Sequence, residues 1–221
     1  MPLSSAELAS SPDRDATPAP APLARDRPEL LPVFLKLAGR KVLVVGGGPV
    51  AAAKLAGLRE TGAAIVLVAP AIGPAARAEI ARSPRAVAVF ERPFIEADLD
   101  DAWLVIAAAP PEVNRQVASL AEAGARRLFV VAVDDPEAAS AYGGGTLRRG
   151  GVTVAISTDG QAPALAGLLR EGLDATIPQE LDAWVAEATA LRPAWRAAGV
   201  PFTQRRPLLL RALNRLYGSD E

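Results

Sequence analysis

The sequence predicts an α/β protein, a doubly wound parallel sheet followed by a smaller, largely helical unit. Three observations lead there. Short β-branched runs alternate with Ala-rich helical segments from Leu31 to about residue 143; a glycine turn joins the first of these runs to the first helical segment; and beyond residue 143 the pattern changes to one alternating strand and three helical stretches. Continuous apolar runs separated by helices mark strands buried on both faces, which is the habit of parallel sheets.

Residues 1–28 are rich in Pro, Ala, Ser and Asp and offer little to bury, so a disordered tail is expected. The sheet then begins. "KVLVV" (41–45) reads as a strand and "PVAAAKLAGLRETG" as a helix, followed by strand "AAIVLVAP", helix "AIGPAARAEIARS" and strand "AVAVFERPF". "AWLVIAAAP", the helical "PEVNRQVASLAEAG" and "LFVVAVDDP" complete the sheet, giving a nucleotide-binding domain over 29–143. In the second unit "GGVTVAISTDG" alternates as a strand with one exposed face, and helices are expected around "APALAGLLREGLD", "PQELDAWVAEATALRPAW" and "QRRPLLLRALNRLYG". The last of these spaces its apolar residues as a packing face.

Composition excludes several functions. Of 221 residues, 24 are Lys or Arg and 25 Asp or Glu, so no basic field exists to hold a phosphate backbone, and nucleic acid is not an expected partner. The chain has no Cys and no His, which removes disulfides, thiolate metal sites and imidazole catalysis. Acid and base work would fall to carboxylates, Lys, Tyr or water, and no metal site is expected. The N-terminus is broken by Pro, Ser and charges where an export signal would need an apolar stretch, and no apolar run approaches the roughly 20 residues of a bilayer span. A cytoplasmic, soluble protein without membrane association is expected.

The glycine turn carries the first functional signal. Gly46, Gly48 and Ala51 stand in the spacing G-x-G-x-x-[GA], with Gly47 between the first two, directly after a strand and opening a helix. The first Gly permits a tight turn, the second lets a pyrophosphate approach the backbone, and the helix start offers free N–H groups. Tight strand-to-helix packing is the alternative explanation of the same residues. At the end of the second strand, Val68, Ala69 and Pro70 stand where an acid often binds the adenosine ribose, and no Arg stands there to take a 2′-phosphate, which favours NAD.

Several segments together resemble the precorrin-2 dehydrogenase and sirohydrochlorin ferrochelatase family, the N-terminal part of siroheme synthase. They are "LPVFLKLAGRKVLVVGGGPVAAAKLAGLRETGA", "RPFIEADLDDAWLVIAA", "EVN", "VVAVDDPEAAS" and "RRGGVTVAISTDGQAPALAGLLREGLDATIP", in that order over about Leu31 to Pro178. The resemblance implies a Rossmann domain, a small dimerisation element over 144–177, a helical C-terminal domain over 178–221, and a homodimer. It implies NAD-dependent oxidation of precorrin-2 to sirohydrochlorin for siroheme or cobalamin synthesis, in some members with iron insertion. Precorrin-2 would come from another protein.

By the same resemblance Asp134 is the catalytic carboxylate, at the sheet edge where ligands of such folds bind. Read without it, Asp134 and Asp135 before Pro136 also suit a plain strand-to-turn junction. The cofactor is expected on Gly46, Gly47, Gly48, Pro49, Val50, Pro70 and Ala71. Asn114 and Arg149 are expected to meet substrate, with Lys54, Arg148 and Arg170 as further cations for a polycarboxylate.

The chain also departs from the family pattern. "AAAPP" (107–111) replaces a stretch with a hydroxyl and two carboxylates, Val131 replaces an Asn, and Ala141, Tyr142, Gly143 and Gly144, in the segment "AYGGG", replace an F-x-x-P pattern. Asp159 stands for a Gly, Gln161 and Ala162 for polar residues, and Gly167 for an Arg. A non-catalytic dimeric nucleotide-binding protein is the alternative these losses favour.

Overall fold

The computed structural model describes residues 29–123 and 126–218. The tail expected over 1–28 lies outside the described residues, and 29–33 carry no regular structure. From Phe34 onward the chain forms one unit.

Five parallel strands make the main sheet, β1 (Lys41–Val45), β2 (Ala64–Ala69), β3 (Val87–Glu91), β4 (Ala102–Ala107) and β5 (Phe129–Ala132), in the order β3-β2-β1-β4-β5. Chain order reverses between β1 and β4, and their carboxyl ends there open the crevice in which α/β sheets bind ligands. The helices α1 (Pro49–Leu58), α2 (Pro74–Arg82) and α3 (Pro111–Glu122) complete this half, each opened by a Pro whose missing N–H costs nothing in a first turn.

The continuous apolar runs are explained by burial on both faces. Val42 and Val44 of β1 pack with Ala51, Leu55 and Leu58 of α1 and with Ala76 of α2, whereas Leu43 and Val45 pack with Val117, Ala118 and Ala121 of α3. Successive β1 side chains thus serve opposite halves of the core, and each buried Val or Leu contributes about 1.5–3 kcal/mol.

The crossover from β3 to β4 contains a 3₁₀ turn, Glu96–Leu99, fixed by one ion pair. The Arg92 guanidinium meets both Asp98 oxygens at 2.8 and 2.5 Å, and the Ile95 N–H donates to Asp98 at 2.9 Å. That hydrogen bonding by Arg92, opposed by burial and aided by the Ile95 N–H, holds the Asp98 carboxyl below the usual carboxylate range.

The second part opens with an antiparallel hairpin, β6 (Gly145–Arg149) and β7 (Val152–Ile156). β7 matches the strand expected from "GGVTVAISTDG"; β6 was not expected. Gly150 and Gly151, both with positive φ (+53° and +79°), form the two-residue turn between them. Helices α4 (Pro163–Thr176), α5 (Leu181–Ala197) and α6 (Phe202–Arg215) follow, α5 running through Pro193 and α6 through Pro207. Among the described residues no helix is long and apolar enough to cross a membrane.

A candidate dinucleotide site at the carboxyl edge of the sheet

The glycine turn is laced by backbone to its neighbours on both sides. Gly46 N–H donates to the Val68 carbonyl at 2.9 Å, and Ala108 N–H donates to the Val45 carbonyl at 2.8 Å. Gly46 has φ +125°, and a β-carbon there would collide with the Ala108 carbonyl. Gly47 lies equally close to the Ala71 carbonyl, while its own carbonyl accepts from Gly73 N–H at 2.8 Å. These two glycines are therefore required by protein packing alone.

Gly48 differs. It is the N-cap of α1, with ordinary extended backbone and, among the described residues, no side-chain cap and nothing within 4 Å of a would-be β-carbon. Ala52 N–H is taken by the Gly48 carbonyl at 3.1 Å, Pro49 has no N–H, and Val50 and Pro49 are exposed. A helix start that is uncapped by side chains and uncrowded at its first residue fits a pyrophosphate, which needs N–H donors and close backbone approach. Pro70 and Ala71 are exposed at the end of β2 on the same edge.

The "AAAPP" departure forms the end of β4, the loop after it and the start of α3. Ala108 and Ala109 approach the glycine turn, Pro110 caps α3, and its carbonyl accepts from Val113 and Asn114 N–H at 3.0 Å. Asn114 is 2% exposed. Its Oδ1 accepts from Ala109 N–H at 2.9 Å and its amide reaches the Val133 carbonyl at 3.4 Å, so both ends of this expected substrate ligand are engaged by backbone. It ties the loop after β4 to the end of β5.

That strand end presents Asp134. It is exposed, adopts the left-handed region (φ +57°), and forms no side-chain hydrogen bond or ion pair among the described residues. Asp135 is occupied, accepting from Ala138 N–H at 3.2 Å and pairing with Arg115 at 3.3 Å. The two adjacent carboxylates are thus in unlike situations, one holding the turn and one facing outward.

The residues after β5 explain another departure. In "AYGGG", a β-carbon on Gly144 would collide with the Ile156 carbonyl, and one on Gly145 would stand 3.0 Å from the Ala166 carbonyl. Tyr142 packs against Gly160 (φ +74°) and donates its hydroxyl to the Pro136 carbonyl at 3.1 Å. Asp159, standing for a Gly, has φ +54°, a conformation Asp tolerates better than most residues.

Of the expected cations, Lys54 brings its Nζ to 3.4 Å from a would-be β-carbon on Gly143, beside the β5 end. Arg149 is engaged at the end of α4: it donates to the Ile177 carbonyl at 2.5 Å and pairs with Asp174. Arg148 is exposed, and Arg170 pairs with Glu171 at 3.3 Å. Among the described residues no three Asp or Glu gather as a metal would need.

Fold and edge together define an NAD(P)-binding protein of the Rossmann class, and residues 33–145 match the family described as "Putative NAD(P)-binding". Residues 149–176 match the central region of sirohaem biosynthesis proteins. The chain belongs to this NAD(P)-binding family, and its second match ties it to the sirohaem biosynthesis proteins. It is 38% identical to siroheme synthase 3 of Aeromonas hydrophila over 87% of this chain and 40% of that one, and 39% identical to siroheme synthase 2 of Cronobacter sakazakii over 80% and 38%. It thus spans about two fifths of the length of these relatives. The solved precorrin-2 dehydrogenase SirC superposes with a TM-score of 0.63 at 25% identity, covering 82% of this chain and 88% of that one.

Proposed function

We propose that this chain oxidises precorrin-2 to sirohydrochlorin with NAD and acts as a homodimer. The observation that carries the proposal is Asp134, an exposed carboxylate with no side-chain hydrogen bond or ion pair among the described residues, at the same sheet edge as the glycine turn. The names of SirC and of the siroheme synthases support the substrate class.

Gly46 and Gly47 shape the turn, Gly48 with the first N–H groups of α1 holds the pyrophosphate, and Pro70 with Ala71 borders the adenosine side. Bound there, the nicotinamide supplies the hydride acceptor. Oxidation of the tetrapyrrole releases one hydride and one proton; Asp134 accepts the proton, as a general base positioned at that edge can. Lys54 supplies a cation to a substrate carboxylate. Asn114 acts by positioning, holding Ala109 and Val133 and with them the turn that bears Asp134.

Dimerisation is supported by α4. Leu165, Leu168, Leu169 and Leu173 recur at helical spacing and are exposed, Leu168 to 65%. A second copy of α4 would cover them. Iron insertion is a further activity of the same reading, with Asp134 taking the pyrrole protons and iron entering as substrate.

The test is anaerobic incubation of the protein with precorrin-2 and NAD. NADH formed in equal amount with sirohydrochlorin supports the reading. NAD binding without any NADH supports the non-catalytic alternative.

A further inference from the structure

We infer that Glu91, held by Arg77, is the residue that makes the site select NAD over NADP. The inference rests on the dinucleotide reading above and extends it to the adenosine 2′-position. NAD and NADP differ only there, by a hydroxyl against a phosphate.

Folds of this class settle the choice at the carboxyl end of β2, where an acid accepts from the hydroxyl or an Arg binds the phosphate. Here Val68, Ala69, Pro70 and Ala71 carry no ionisable group. The neighbouring strand supplies one: Glu91, the last residue of β3, is in register with Ala69, the last residue of β2.

Arg77 of α2 fixes that carboxylate in place. Its Nε donates to the Ile72 carbonyl at 3.1 Å, and its Nη2 stands 3.1 Å from both Glu91 oxygens. Ile72 lies between Ala71 and Gly73, the two residues whose backbones contact Gly47. Glycine turn, β2–α2 turn and the Arg77–Glu91 pair are therefore consecutive along one edge.

The chemistry of the pair decides between the cofactors. A ribose hydroxyl can donate to Glu91, whose oxygens have lone pairs beyond those Arg77 occupies. A 2′-phosphate would meet a carboxylate of like charge, and the cation beside it is already committed to a carbonyl and to that carboxylate. Removing the Glu91 charge reverses both effects, because it ends the repulsion and frees the Arg77 guanidinium for phosphate.

The experiment is a fluorescence titration of NADH and NADPH into the intact protein and into Glu91→Gln and Arg77→Met, with melting curves on each. The wild type should bind NADH more tightly. Glu91→Gln should shift the NADPH-to-NADH affinity ratio towards NADPH by about tenfold or more. Arg77→Met should weaken NADH a few-fold without improving NADPH, a difference that a merely structural part for the pair would not produce. An unchanged ratio in Glu91→Gln with NADH binding intact, or a wild type that prefers NADPH, would overturn the assignment. A wild type that binds neither nucleotide would overturn it together with the dinucleotide reading of the glycine turn.

Discussion

Gly46 and Ala108 meet backbone to backbone across the gap between β1 and β4, with no room for a β-carbon on Gly46. Gly48, two residues on, has free space at the same point of its own structure. The two glycines should therefore respond differently to alanine. Gly46→Ala combines a collision with a φ of +125° and is expected to cost about 3 kcal/mol or more, lowering the melting temperature by roughly 6–12 °C. Gly48→Ala should melt like the wild type yet bind NADH about tenfold more weakly, since only the ligand approach is blocked. Calorimetry and fluorescence titration on both variants check this.

Asn114→Ala leaves the Ala109 N–H and the Val133 carbonyl without their partner in a buried setting. Stranded polar groups of this kind cost about 1–3 kcal/mol each, so a loss of about 2–4 kcal/mol is expected by denaturant unfolding. Turnover should fall as well, because the Asp134 turn loses its tie to α3.

Asp98 makes stability depend on acid. Its carboxyl is held below the ordinary range chiefly by hydrogen bonds from Arg92, so as pH falls the unfolded chain takes up this proton before the folded one does. The contribution is full above the unfolded value, about pH 4, and is lost as pH drops through the lower folded value. Asp98→Asn should be less stable by about 2 kcal/mol at neutral pH, and the gap to wild type should narrow below about pH 4. Unfolding curves from pH 7 to 3 measure it.

The α4 leucines give a test of assembly. Leu168→Glu places a charge in the middle of the exposed stripe and should convert a dimer to a monomer in sedimentation, since an unpaired charge in a closed interface costs several kcal/mol. A dimer that persists unchanged would remove α4 from the interface.

The sheet was legible because burial on both faces of β1 leaves a continuous apolar run that no exposed element would carry. Each expected helix of the first half begins at the Pro that the sequence displays. The hairpin strand β6 was missed although "RRGGVT" carries its turn signal, because "GTLRR" is too short and too basic to stand out by hydrophobic period. The glycine turn, expected from its spacing, and Asp134, expected from the resemblance, both stand at the carboxyl edge of the sheet because each follows closely on a strand of that sheet. Asn114 and Arg149, expected to meet substrate, hydrogen-bond to backbone partners 5 to 28 residues away, relationships that sequence spacing does not encode. The crowding that requires glycine at 144 and 145 in "AYGGG" comes from the Ile156 and Ala166 carbonyls, partners that appear only in three dimensions. Glu91 is not legible in the sequence because its link to the β2 end is a strand register across 22 residues.

The most direct measurement is NADH formation from precorrin-2 by Asp134→Asn beside the wild type, with NAD affinity and melting followed on both. Asn keeps the left-handed turn and removes only the carboxylate. Turnover reduced about a hundredfold or more, with melting and NAD binding unchanged, is the expected result. Turnover equal to the wild type would contradict the role of Asp134 and return it to a turn residue.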